Sequence, residues 1–150
     1  MAKQMPHVQS KLRHIVKVPE CIYDVSGINV NGRRIKSLVF STDVAVIANC
    51  NADAVIAVLN APTKTRFVQE LSQIVDIPIV LTIVSLDEPL EERMLHSGAS
   101  IVNVSGGKNT VAIIKALREI DKTFPIIATG GPTEETIKEV IQAGANAITY

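Results

Sequence analysis

Residues 77–104 read IPIVLTIVSLDEPLEERMLHSGASIVNV, and residues 124–150 read FPIIATGGPTEETIKEVIQAGANAITY. Both segments run X-Pro, an apolar run, an acidic start to an amphipathic stretch, Gly-Ala, and a second apolar run. The runs 79–84, 100–104, 125–129 and 146–150 are short, and most are β-branched, which predicts buried strands. The stretches 88–97 and 133–143 predict helices stopped at Gly98 and Gly144. Glu134 and Glu135 fall in a first helical turn, where the helix dipole favours negative charge. Ile77-Pro78 and Phe124-Pro125 lie about 47 residues apart, the length of two strand–helix units. A repeat of this size implies a quasi-symmetric array of supersecondary units. Strands alternating with such helices pair in parallel through right-handed crossovers.

The same alternation extends outward. Residues 109–121 predict a helix with Val111, Ile114 and Leu117 inward. Thr63 or Lys64 opens another, with Phe67, Val68, Leu71 and Ile74 on one face. Ala54 to Leu59 is a continuous apolar run, a strand. Ser41-Thr42-Asp43 caps a short helix over 43–50. Asn31-Gly32 predicts a hairpin turn between an extended Cys21-Ile22-Tyr23 and a strand from Ile35 to Phe40. Val8, Leu12, Ile15 and Val16 have helical spacing, which predicts an N-terminal helix over 3–17, ended by Pro19. The expectation is one α/β domain over 1–150. It is a partial TIM (β/α) barrel of about six parallel strands alternating with helices, with an N-terminal helix and hairpin.

Composition agrees with this class. Hydrophobic residues make up 47% and aromatics 3%, with no Trp. Ile, Val and Ala dominate, as they do in parallel sheets covered on both faces. The formal net charge is zero, which argues against a nucleic-acid binder with a basic stripe. No apolar stretch approaches the roughly 20 residues that span a bilayer, so no membrane partner is expected. Cys21 and Cys50 have no metal or redox spacing and read as reduced, buried thiols of a cytoplasmic protein.

The motif IIATGGPT (126–133), followed by a helix and GANAITY (144–150), resembles the ribulose-phosphate-binding barrel superfamily. The resemblance implies a phosphate held by the Gly-Gly turn after strand seven and by backbone after strand eight. The chain also resembles a family of uncharacterised bacterial barrel proteins often labelled hydrolase. The segments that carry this likeness are VPECIYDVSGI, IKSLVFSTDVAVIANCNADAVIAV, NAPT, NVSGG and IIATGGPTEETI. A full barrel needs about 200 residues or more. Here LNAPT, which resembles the end of strand four, follows directly on Val58. The expectation is a shortened barrel with an open sheet edge beside 54–59, and hence a homo-oligomer.

Candidate site residues follow from the turns. Gly130 and Gly131 leave a strand and enter a helix, so their N–H groups can approach an anion at a positive dipole end. Thr129 and Thr133 add hydroxyls. Gly106 and Gly107 form the same kind of turn one unit earlier, with Lys108 or Asn109 beside them. Each pair can equally be a tight turn with no ligand. Asp24 is the candidate general base or metal ligand, and is otherwise a turn residue. Asn60, Ser85, Asp87, Glu88 and Asn103 lie near other strand ends, with Asp87 and Glu88 suited to capping the next helix. No His/Asp/Glu set has metal-ligand spacing, so neither a metal nor a cofactor is expected. The leading reading is a phosphate-binding barrel, with an enzyme acting on a small phosphorylated metabolite as isomerase, epimerase, lyase or hydrolase as its first expectation. The alternatives are a non-catalytic ligand-binding or regulatory barrel, and a truncated scaffold.

Overall fold

The computed structural model describes residues 15–17, 22–24, 28–129 and 134–149. Its strands are β1 (Ile15–Lys17), β2 (Ile22–Asp24), β3 (Asn29–Val30), β4 (Arg33–Arg34), β5 (Ser37–Phe40), β6 (Ala54–Ile56), β7 (Ile79–Ile83), β8 (Ile101–Val104), β9 (Ile126–Thr129) and β10 (Ala147–Thr149). The helices are α1 (Val44–Asn49), α2 (Thr65–Ser72), α3 (Leu90–Leu95), α4 (Thr110–Ile120) and α5 (Glu134–Ala143). From β5 to β10 each strand pairs in parallel with the next. One helix lies in each connection, so six parallel strands alternate with helices in a partial α/β barrel.

The sheet order is β1-β5-β6-β7-β8-β9-β10-β2. Laid flat, eight strands would set their outer members about 34 Å apart. Lys17 and Ile22 belong to those two outer strands, yet five peptide steps join them and reach at most about 19 Å. The sheet must curl. Its two faces then become different environments. The convex face packs against the helices through Val55, Leu81, Val102, Ile126 and Ile148. The concave face holds Leu38, Ala54, Val80, Ile101, Ile127 and Ala147, with Ile28 and Ile35 packed against them. Ile28 and Ile35 flank the β3–β4 hairpin, which thereby fills the concave face at the end where the parallel strands begin. Asn31 and Gly32 make its turn with φ of +53° and +83°, the pair of left-handed angles that suits a two-residue hairpin.

Local chemistry explains the helix boundaries. Asp43 accepts from Ala45 N at 2.9 Å and Val46 N at 3.4 Å, capping α1 as the sequence implied. In α2, Val68 and Leu71 are buried, whereas Ile74 lies past the helix end at 62% exposure. In α4, Ile113 joins Ile114 and Leu117 in the core.

The N-terminal expectations need correction. Ile15–Lys17 is a strand antiparallel to β5, not the end of a helix; residues 3–14 of that expected helix lie outside the described residues. β2 is no arm of the Asn31-Gly32 hairpin: it pairs antiparallel with β10, and the arms are β3 and β4. The next strand starts at Ser37 rather than Ile35, because Ile35 N bonds Ile28 O beside the hairpin. The edge beside β6 is not open, since β5 occupies it. Cys50 is half-buried rather than buried. Among the described residues no helix is long and apolar enough to cross a membrane.

Candidate functional site

Side chains alternate across each strand, so the concave positions one step beyond the apolar layer are Ile56, Thr82, Asn103 and Thr129. Thr82 and Asn103 are fully buried, and Thr129 is 8% exposed. They connect directly. Thr129 Oγ1 donates to Asn103 Oδ1. Asn103 Nδ2 donates to Thr82 Oγ1 at 3.1 Å and to Leu59 O at 3.3 Å. Thr82 Oγ1 donates to Val58 O at 2.6 Å. Thus the segment after β6 crosses the concave face and is held by side chains of β7 and β8. Beyond it, Ser105 Oγ donates to Asn60 Oδ1 at 3.0 Å.

Above this floor, at the C-terminal ends of β8 and β9, a cleft of about 420 Å³ opens. Asn60, Ser105 and Thr129 line it from the strand side. Lys108 and Thr110 line it from the start of α4, and Thr136 and Glu139 from α5. Lys108 and Glu139 are the ionisable side chains among these described residues, and both are exposed.

The glycine turns divide. Gly106 N donates to Thr110 Oγ1 at 3.0 Å. A Cβ at Gly106 would meet Ile113 Cδ1 at 2.5 Å, so this glycine lets the turn sit close against α4. Gly107 has φ +58° with open space around it. It begins the single 3-10 turn Gly107–Asn109 that leads into α4. Gly107 and Lys108 thus line the cleft at the head of that turn. Gly130, Gly131 and Thr133 lie outside the described residues.

Asp24 is not brought to this rim by the backbone register. β2 runs antiparallel to β10, and Asp24 pairs with Ala147, where β10 begins. The rim lies at the other end of the strand. Asp87 and Glu88 do not cap α3. Asp87 N bonds Ser85 Oγ at 3.1 Å. Glu88 turns back, and its Oε2 accepts from Val84 N and Ser85 N at 2.8 and 2.9 Å. Its other oxygen lies 2.8 Å from Arg93 Nε, a charge contact rather than an aligned hydrogen bond. Arg93 is buried and also donates to Thr63 O, Thr65 Oγ1 and Thr82 O. These groups are committed to the wall behind the concave face. Among the described residues no group of three His, Cys, Asp or Glu side chains is gathered closely enough to hold a metal ion.

Sequence reading had no means of finding Thr110, Thr136 and Glu139, which reach the cleft from helices rather than strand ends. Compared with known proteins, the chain matches no family model and no curated protein.

Proposed function

We propose that this chain is a phosphate-binding barrel protein of the ribulose-phosphate-binding kind, and that its cleft takes the anionic end of a small phosphorylated metabolite. One observation carries the reading: a cleft at the C-terminal ends of β8 and β9, headed by Gly107 and Lys108, has Asn60, Ser105, Thr110, Thr129 and Thr136 among its lining residues. In α/β barrels this end of the strands is where ligands bind. Backbone N–H groups at the head of a turn, with a lysine beside them, supply donors and charge to an anion. In this reading Gly130 and Gly131 complete the anchor from the next turn. Phosphate binding would then orient the rest of the metabolite. Glu139 is the carboxylate at hand for moving a proton in an isomerase, lyase or hydrolase.

A second reading, a non-catalytic ligand-binding or regulatory barrel, draws support from the same lining. One carboxylate and one ammonium are few groups for acid–base chemistry. The proposal also takes the chain as a cytoplasmic homo-oligomer, because among the described residues β1 and β2 are the outer strands of the sheet, and outer strands pair with a second copy.

The test is calorimetric titration of inorganic phosphate and ribose 5-phosphate into wild type and Lys108→Ala. Binding by wild type, weakened roughly tenfold in the variant, about 1.4 kcal/mol, is expected. Equal affinity in both would move the anion away from this cleft, and no binding by wild type would end the reading.

A further inference from the structure

Three buried side chains, Thr82, Asn103 and Arg93, converge on one short loop, residues 58–65 between β6 and α2. Thr82 Oγ1 and Asn103 Nδ2 hold its first end, at Val58 O and Leu59 O. Its second end is held at Thr63. Thr63 N donates to Thr82 O at 3.1 Å, and Thr82 N donates to Thr63 Oγ1 at 2.9 Å. Arg93 reaches the same end from α3. It donates to Thr63 O at 2.7 Å, Thr65 Oγ1 at 2.8 Å and Thr82 O at 3.1 Å. Between the anchors lie Asn60, Ala61 and Pro62, all exposed. A buried guanidinium is costly unless its charge and its donors are met. Glu88 meets the charge, with Oε1 at 2.8 Å from Arg93 Nε. Its Oε2 is fixed in turn by Val84 N and Ser85 N at the end of β7. Glu88 therefore sets Arg93 from behind, and both Nη atoms face the loop.

The consequence falls at the tip of the loop. Asn60 lines the cleft, and its Oδ1 accepts from Ser105 Oγ at 3.0 Å. Among the described residues this is the one hydrogen-bond partner of its side chain. An amide has an accepting end and a donating end. Whichever way Asn60 is turned, one end meets Ser105 and the other is left for a ligand. A hydroxyl, which both donates and accepts, fits either. We propose that Arg93 is a positioning residue: its grip on Thr63 and Thr65 fixes the loop that sets Asn60 on the rim, and Asn60 meets a hydroxyl of the ligand there. The inference deepens the phosphate reading and rests on it for the placement of the ligand. The anionic end lies at Gly107 and Lys108, and the hydroxyl-bearing carbons extend toward Asn60.

The experiment titrates ribose 5-phosphate into wild type, Asn60→Ala, Arg93→Lys and the double variant. Lysine keeps a charge beside Glu88 but lacks the fork that spans the loop and β7. Each single variant is expected to bind about fivefold more weakly, and the double variant no more than about twofold below Asn60→Ala. Losses that multiply overturn the inference, because Arg93 then does not act through Asn60. Wild-type affinity in either single variant also overturns it. Arg118→Ala is the control for lost stability alone, since Arg118 grips Gly144 O and Phe124 O at the other end of the strands. It is expected to bind as wild type does, and a loss equal to that of Arg93→Lys overturns the inference. If wild type binds no ribose 5-phosphate, the phosphate reading falls, and the Asn60 side-chain amide signal in NMR spectra decides the positioning. That signal is expected to move in Arg93→Lys and to stay in place in Arg118→Ala. No movement in the first, or equal movement in both, overturns it. If Arg93→Lys does not unfold cooperatively, Thr65→Val, which removes one Arg93 bond to the loop, takes its place in the spectra.

Discussion

Where the parallel strands begin, charged side chains close the structure. Where they end, a network of neutral side chains lies under an open cleft. At the first end Asp53 takes Arg33 Nη2 at 2.8 Å, Lys36 N at 2.8 Å and Ser37 N at 3.1 Å. Arg118 donates to Gly144 O, Asp121 O, Phe124 O and Asn146 Oδ1. At the other end Thr82, Asn103 and Thr129 satisfy one another under a cleft. The contrast separates jobs. Full-strength charges saturated by backbone tie strand starts and helix ends together. A neutral hydrogen-bond network underlies the cleft. In α/β barrels the former end serves stability and the latter function.

The sharpest way to break this comparison is through the apolar layer between the ends. Ile127 is fully buried on the concave face. Ile127→Ala should cost about 4 kcal/mol in denaturant unfolding, and a cost under about 1 kcal/mol would mean that the concave face is not a packed core. Arg118→Ala should cost about 3 kcal/mol, since it strips several carbonyls of a charged donor, while ligand affinity at the cleft stays unchanged. Loss of affinity without loss of stability would reverse the division of labour. Thr82→Val keeps the side-chain shape but leaves the Asn103 NH2 and Val58 O each one partner short. About 2 kcal/mol should go, measured in the same way.

Asp53 adds a pH signature. Its burial disfavours the charge. Against that stand the Lys36 N–H, the Arg33 guanidinium and the Ser37 N–H, and together they hold the carboxyl below its ordinary range. The folded pKa thus lies below the unfolded value of about 3.9. The stabilisation is fully present above that unfolded value and is lost as pH falls through the folded one. Asp53→Asn should cost about 1 kcal/mol at pH 7 and flatten the acid limb of the stability profile, and an unchanged limb would assign acid sensitivity to other carboxyls. Lys108→Ala sharpens the contrast from the opposite side. The lysine is exposed, so unfolding should move by no more than about 0.5 kcal/mol, whatever happens to phosphate affinity.

The parallel array was legible because each strand is an apolar run between Pro or Gly signals, and each helix repeats every three to four residues. The N-terminal pairing was not. Ile15 and Val16 fit a helical spacing with Val8 and Leu12, and a strand of three residues is too short to display a period of two. Nor can local sequence reveal that Ile22–Asp24 pairs with the far end of the chain. The Gly106-Gly107 turn of the site was visible, although the contact that explains Gly106, Ile113 against its missing Cβ, is tertiary. Thr82 was hidden inside the run IVLTIV, where one hydroxyl reads as tolerance for a β-branched residue. Thr136 and Glu139 were invisible for another reason. Their place at the cleft depends on how α5 is rotated against the sheet, and that is set by packing of residues such as Val140.

The pairing of β2 with β10 has a kinetic consequence. Asp24 and Ala147 are register partners about 120 residues apart in sequence, whereas neighbours within the parallel array are about 16 to 24 apart. Closing the longer loop costs about 1.5 kcal/mol more in chain entropy. On a ribosome the difference is larger still, because β2 emerges well before its partner β10. Until β10 has emerged, β2 lacks this partner. The β2–β10 pairing thus joins segments made far apart in time, and amide exchange should find it gaining protection after the parallel array.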